Sequence, residues 1–322
     1  MNASIARYVR TIRHLKPVQI YGRVQHRLSR PRIVSRSAPQ LRLHVDRWVV
    51  PIEREGVLTG PTTIRLLNHD GEIANAGDWN DAGQPKLWLY NLHYFDDLKA
   101  PADKTREVWQ KQLVSRWIAD NPIGEGNGWE PYPSSLRIVN WLKWWLGGTG
   151  PQAEWIESLA TQTRYLRQRI EWHLLGNHLL ANAKALVFAG VCFAGDEAAD
   201  WLRTGLDIYQ RELAEQVLDD GGHFERSPMY HAIILEDLLD VVNLLRAYGL
   251  TGHPNLLAAL LAPLMLYLMS QAQRARGWHR WTLLAIVGLG AVALVATASR
   301  AAWLAFGIGM TVWLAALWTE RR

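Results

Sequence analysis

Three short segments place acid, base and hydrogen-bonding side chains at helical spacing. The first is Gly176-Asn177-His178, continuing as Leu179-Leu180-Ala181-Asn182-Ala183-Lys184. Helical periodicity puts His173, Asn177, Ala181 and Lys184 near one face, and His178 with Asn182 on the adjacent one. Such a polar set is unusual on a helix otherwise apolar enough to be buried; it also suits a helix start whose polar groups are satisfied by neighbouring loops. The second segment runs from Asp219 to His231 and contains His223, Tyr230 and His231. Ser227 followed by Pro228 reads as a helix start, so Tyr230 falls in the first turn, where unpaired amide hydrogens and the helix dipole favour a phenolate. A tyrosine so placed can serve as base and then acid, or can simply hydrogen-bond at a surface. The third segment, Gly128 to Trp141, holds Trp129 and Tyr132 ahead of a helix capped by Ser134 or Ser135. On that helix Arg137, Asn140, Trp141 and Trp144 share a stripe, while Leu136, Val139, Leu142 and Leu146 form the core face. Guanidinium and indole together suit a carboxylated sugar, the one pairing with the carboxylate and the other stacking on the ring; a packing helix with a snorkelling arginine is the alternative.

Other chemistries lack their residues. There is no Gly-rich phosphate loop, no paired-cysteine motif and no His-Glu-x-x-His helix, and the spacing of His178, His223 and His231 matches no common metal-ligand pattern. No cofactor and no metal are expected. The one cysteine, Cys192, sits in the apolar run 186–194 and reads as a buried thiol. The formal charge of +5 is concentrated late in the chain: residues 256–322 hold six arginines and one acid, and removing these from totals of 35 and 30 leaves 29 of each sign in residues 1–255. A neutral main region argues neither for nor against nucleic acid or an anionic substrate, and no nucleic-acid partner is expected. Seventeen tryptophans are enough to supply both core and flat platforms for sugar rings.

The elements that must position these residues are helical. Residues 5–28 read as two short helices interrupted at Pro17, and residues 30–85 as loops rich in Pro, Gly, Asp and Asn with one hairpin near 62–67. Helices are predicted at about 105–119, 134–146, 152–170, 176–194, 198–217 and 228–248. Short connections point to an all-α array of antiparallel pairs. The domain reading is 1–85, 86–255 and 256–322. In the last part, 283–298 and 301–318 are apolar stretches close to the length that spans a bilayer, separated by Ser299-Arg300. Arg274, Arg276 and Arg280 precede them and Arg321-Arg322 follow, so a hairpin would place both basic clusters on the cytoplasmic side. The expected partner there is the lipid bilayer, through residues 281–318. The first 25 residues show no uninterrupted apolar core before a cleavage site, so no signal peptide is expected. The location expected is a bacterial inner membrane with the main domain in the cytoplasm.

Four motifs occur in a familiar order: Leu89-Tyr90-Asn91-Leu92-His93-Tyr94-Phe95-Asp96, the Trp129–Trp141 segment, Gly176-Asn177-His178-Leu179-Leu180-Ala181-Asn182, and the His223–His231 segment. Over residues 5–255 the chain resembles the N-terminal domain of heparinase II/III-like polysaccharide lyases. The resemblance implies an incomplete (α/α) toroid and β-elimination on an acidic, uronic-acid-containing polysaccharide. It implies that Asn177 neutralises the substrate carboxylate, that His178 is the adjacent active-site histidine and that Tyr230 is the acid/base. Trp129, Tyr132, Arg137, Asn140, Trp141, Trp144 and His231 are expected to line the substrate. In that family a C-terminal β-sandwich supplies a further histidine, and no strand-rich segment follows residue 255; weak or absent turnover is therefore expected. Around Val295-Ala296-Thr297-Ala298-Ser299-Arg300 the tail is similar to a transmembrane stretch of the O-antigen ligase and polymerase family. Two alternatives follow, a non-catalytic carbohydrate-binding or fusion protein, and a membrane protein of surface-polysaccharide assembly.

Overall fold

A computed structural model describes residues 13–33, 36–43, 48–218 and 221–250, with a few isolated positions between 277 and 288. Most of the expected first helix before Pro17 and nearly all of the apolar tail, including all of 289–318, lie outside these residues. The described residues form two compact units, one within 1–44 and 50–205 and the other within 45–49 and 206–322.

In the first unit, α1 (Pro17–Leu28) begins on proline at its first position, where a missing amide hydrogen costs nothing. The loop-rich segment contains one antiparallel hairpin, β1 (Thr63–Leu66) and β2 (His69–Glu72), with Thr63 opposite Glu72 and Leu66 opposite His69. Its two-residue turn puts Leu67 at φ 51° and Asn68 at φ 63°, the pair of left-handed residues that matches the twist of a hairpin. The segment is pinned by Asp97, which accepts from the Leu58 amide at 2.7 Å and from Arg106 at 2.5 Å. Then come α2 (Lys86–Leu92), α3 (Lys104–Asp120), α4 (Pro131–Leu146), α5 (Ala153–Gln168), α6 (Gly176–Cys192) and the start of α7 (Asp196–Gln216).

The centre is the pair α4 and α6, which pack on each other more extensively than any other described pair, with α5 against both. Fourteen of the sixteen residues of α4 are buried, as is every residue of α6 from Leu179 to Cys192. A helix apolar all round belongs inside, and these two are enclosed on all sides. The predicted serine cap of α4 is displaced: the helix starts at Pro131, and the Ser134 and Ser135 hydroxyls donate back to the carbonyls of Gly128 and Pro131. Proline at the first position suits that earlier start, and the serines then act inside the first turns.

Several tryptophans fill the core. Trp79, Trp117, Trp141, Trp155 and Trp201 are among the largest fully buried side chains. Trp117 and Trp141 meet edge to face at 5.9 Å, and Phe95 meets Trp141 at 5.5 Å, the spacings at which aromatic quadrupoles attract. Cys192 is buried and, as the single cysteine, forms no disulfide within the chain.

In the second unit, residues 206–216 of α7 lead into a turn in which Val217 and His223 pair as an antiparallel bridge, followed by α8 (Pro228–Ala247). Ser227 stands at the cap position of α8 with extended backbone, but its side chain makes no capping bond. Among the described residues, no helix is long and apolar enough to cross a membrane.

Candidate active site

The polar cluster of the first unit is built where the chain enters α6. Leu175 has φ 61° and ψ −158°, a backbone region that is essentially glycine-only, and Gly176 follows at φ 58°. A leucine held there stores strain of order 1–3 kcal/mol, which persists only where surrounding contacts fix the backbone. The connection from Arg169 to Leu175 folds back on itself, the amides of Leu174 and Leu175 both donating to the Glu171 carbonyl.

Asn182, nearly two turns into α6 and fully buried, is the strut. Its Oδ1 accepts from the Glu171 amide at 2.8 Å, and its Nδ2 donates to Ser135 Oγ on α4 at 3.0 Å and to Glu171 Oε2 at 3.1 Å. The other Glu171 oxygen, Oε1, lies 3.2 Å from His178 Nδ1. A carboxylate facing Nδ1 fixes the proton on that nitrogen and leaves Nε2 as the free end of the imidazole. The Tyr132 ring lies 4.4 Å from the His178 ring and 5.9 Å from that of Tyr94. Burial, followed by the nearby Tyr132, Asp96 and Glu171, pushes the Tyr94 phenol above its ordinary value, so it stays protonated. Asn177, half-buried in the first turn of α6, has no hydrogen-bond partner for its amide among the described residues. This corner therefore offers one free amide and one oriented imidazole beside an aromatic face. Glu171 was not singled out by sequence reasoning. The only signal for it is an acid seven residues before a histidine, and it takes the Asn182 contact to give that meaning.

The predicted sugar-facing stripe of α4 is elsewhere. Arg137 is fully buried; it donates to Gln162 Oε1 at 2.8 Å and to the His93 carbonyl at 3.3 Å, and its guanidinium lies 3.8 Å from the Trp117 ring centroid. Burial pulls its pKa well below the usual guanidinium range. Trp141 is enclosed by the aromatic core, and Trp144 stacks on Trp155 at 5.7 Å. Asn140 spends its amide on the Tyr94 carbonyl and Asp96, and the Trp129 indole donates to the Asn121 carbonyl. The reading of these as ligand-facing residues is corrected to packing, because the face taken for an open stripe meets α3 and the Phe95 turn. Of that set Tyr132 alone is half-exposed, against His178.

In the second unit, Tyr230 lies in the first turn of α8, half-buried, its ring 6.1 Å from that of His223. His223 is buried, with Nε2 3.2 Å from Gln216 Oε1 and no partner for Nδ1, and burial lowers its pKa. His231 is half-exposed on the next residue of the helix. Among the described residues, no three His, Cys, Asp or Glu side chains are grouped to hold a metal.

Residues 151–256 match the family model "Heparinase II/III N-terminus". The matched span contains Asn177, His178, Glu171 and Tyr230, and excludes the α4 stripe. The chain is similar to a heparin-sulfate lyase of Bacteroides stercoris, at 41% identity over 75 residues covering 23% of this chain and 11% of that protein. It is also similar to FtsZ-localized protein C of Caulobacter vibrioides, at 29% identity over 249 residues covering 73% of this chain and 41% of that one. A solved heparinase III superposes with a TM-score of 0.48 at 19% identity, covering 62% of this chain and 37% of that one. The chain thus spans about a tenth of the length of that lyase and two fifths of the other relative. The matched region is heparinase-like and mainly helical.

Proposed function

We propose that the chain acts on an acidic, uronic-acid-containing polysaccharide by β-elimination, on a helical array of the (α/α)-toroid kind. The observation that carries this reading is the unpartnered Asn177 amide beside an imidazole oriented by Glu171, within the heparinase-like span. In the reaction the C5 proton of the uronate leaves, the C4–O4 bond breaks, and a C4–C5 double bond forms. Proton loss next to a carboxylate adds charge to charge, so hydrogen-bond donors on the carboxylate lower the barrier most. Asn177 Nδ2 supplies one such donor; His178, its Nδ1–H held by Glu171, supplies a second through Nε2 only when that nitrogen is also protonated. Tyr230, in the first turn of α8, takes the C5 proton and returns it to the departing O4.

The test is the absorbance of the unsaturated uronate product on alginate, heparan and a mixed exopolysaccharide. Weak turnover is expected, falling about a hundred- to ten-thousand-fold in Tyr230→Phe and about a hundred- to a thousand-fold in Asn177→Ala. Product formation that survives Tyr230→Phe removes it from the chemistry.

A second reading, a non-catalytic protein recruited with FtsZ, is favoured by the alignment with FtsZ-localized protein C, which spans more of this chain than the lyase alignment does. A fluorescent fusion that follows FtsZ, in a chain releasing no unsaturated product, would establish it in place of the lyase. On either reading the apolar stretches within 281–318 are proposed to hold the chain at an inner membrane with the main region on the cytoplasmic side.

A further inference from the structure

A half-enclosed cavity of about 440 Å³ lies between α1 and the segment that leaves α5, at the low end of the roughly 300–1,000 Å³ typical of small-molecule sites. Its wall is fixed by a close approach: a Cβ added to Gly22 of α1 would stand 3.0 Å from the His173 amide nitrogen and from Trp172 Cβ. Arg30, Arg167 and Arg169 line it, together with His26, Gln25 and Trp172, and no acidic residue does.

Arg167 is paired with Asp200 at 3.0 Å, but Arg30 and Arg169 make no ion pair among the described residues. Arg169 caps the end of α1, Nη1 donating to the carbonyls of His26 and Ser29 at 2.6 and 3.2 Å and Nη2 to His26 Nε2 at 2.7 Å. A guanidinium has five N–H groups, so Nε–H and one Nη2–H remain free. His26 does not add to the charge. Burial, then Arg169 and His173, lower its pKa to about 4, so at neutral pH it carries its proton on Nδ1 as a further donor. Two uncompensated guanidiniums, neutral donors and an indole around a volume of this size describe a site for a sugar bearing an anionic group.

We propose that this cavity binds one sulfated or carboxylated sugar unit, its anionic substituent held by Arg169 and Arg30 and its ring against Trp172. The inference rests on the acidic-polysaccharide reading and adds a subsite to it. Glu171 falls between the cavity-lining residues Ile170 and Trp172, so the backbone that orients His178 also forms the cavity wall.

The test is ligand-observed NMR on the full chain with N-acetylglucosamine 6-sulfate, glucuronate, N-acetylglucosamine and inorganic sulfate. The two anionic sugars are expected to bind and the neutral one not. Arg30→Gln removes no structural contact and should weaken binding about tenfold or more, as should Arg169→Gln, whereas Arg169→Lys keeps the charge and should lose less. Equal affinity for inorganic sulfate and the sulfated sugar overturns the sugar occupant, and unchanged affinity in Arg30→Gln and Arg169→Gln overturns the site. Turnover with no dependence on Arg30 leaves the lyase reading standing without this subsite; Arg30-dependent binding without product in any variant leaves the subsite and removes the lyase.

Discussion

His93 shows how far a single residue's environment can be decided by its neighbours. It is fully buried, its Nδ1 accepting from the Trp117 indole at 2.9 Å and its Nε2 donating to the Trp79 carbonyl at 3.0 Å. A second proton on Nδ1 would point at an N–H, beside the Arg137 guanidinium. Burial and then Arg137 lower the His93 pKa to about 3 from an ordinary 6.5. The unfolded chain therefore binds more protons than the folded one between those values. Stability is complete above pH 6.5 and should fall as pH drops through the window, by about 1.4 kcal/mol per pH unit once the unfolded histidine is fully charged. Denaturant titrations at pH 7, 6 and 5 check this. Between pH 6 and 5, where most carboxylates are still ionised, His93→Gln should have a visibly flatter slope, and an equally steep one would show that another group carries the loss. The motif containing His93 was legible in the sequence as part of a resemblance, but its role as a neutral hydrogen-bond relay was not, because that depends on Trp79 and Trp117 arriving from other elements.

At the scale of elements, periodicity located the helices well and their faces poorly. The expected 176–194 and 228–248 appear as Gly176–Cys192 and Pro228–Ala247, since glycine or proline opens each one. The α4 stripe failed as a ligand face because periodicity reports which residues share a side, and a helix buried all round has no open side. Arginine and asparagine on such a helix satisfy their donors internally, and the sequence carries no sign distinguishing that from solvent exposure. The packing of α6 on α7 makes the same point through glycine. A Cβ on Gly190 would stand 2.5 Å from the Leu202 backbone nitrogen, and one on Gly205 2.8 Å from the Ala183 carbonyl. Both obstacles are backbone, so the helices must move apart. Gly190→Ala should destabilise the protein by about 1–3 kcal/mol despite alanine's better helix propensity, as seen in the midpoint of chemical unfolding. A stabilised variant would mean that α7 is not held at this distance.

For the whole molecule, the charge and hydropathy of the sequence divide where chemistry ends: residues 1–255 are balanced in charge and carry every candidate site residue, while 256–322 carry the basic excess and the apolar runs. Two stretches of 16 to 18 largely apolar residues, 283–298 and 301–318, approach the roughly 20 that cross a hydrocarbon core at helical rise. Left in water they would expose more contiguous apolar surface than a soluble protein tolerates. A backbone satisfied within its own helix can enter lipid at little cost, and the arginines at 274, 276, 280, 321 and 322 would then sit at one membrane face with anionic headgroups. The full chain should therefore remain with the membrane pellet after an alkaline carbonate wash, which strips proteins held by charge alone. Deleting 281–318 should release it into the supernatant. Recovery of the full chain in the supernatant would end the anchoring proposal, and retention of the deleted chain would move the anchor to residues 1–280, where the neutral charge balance of residues 1–255 gives electrostatic adsorption little to act on.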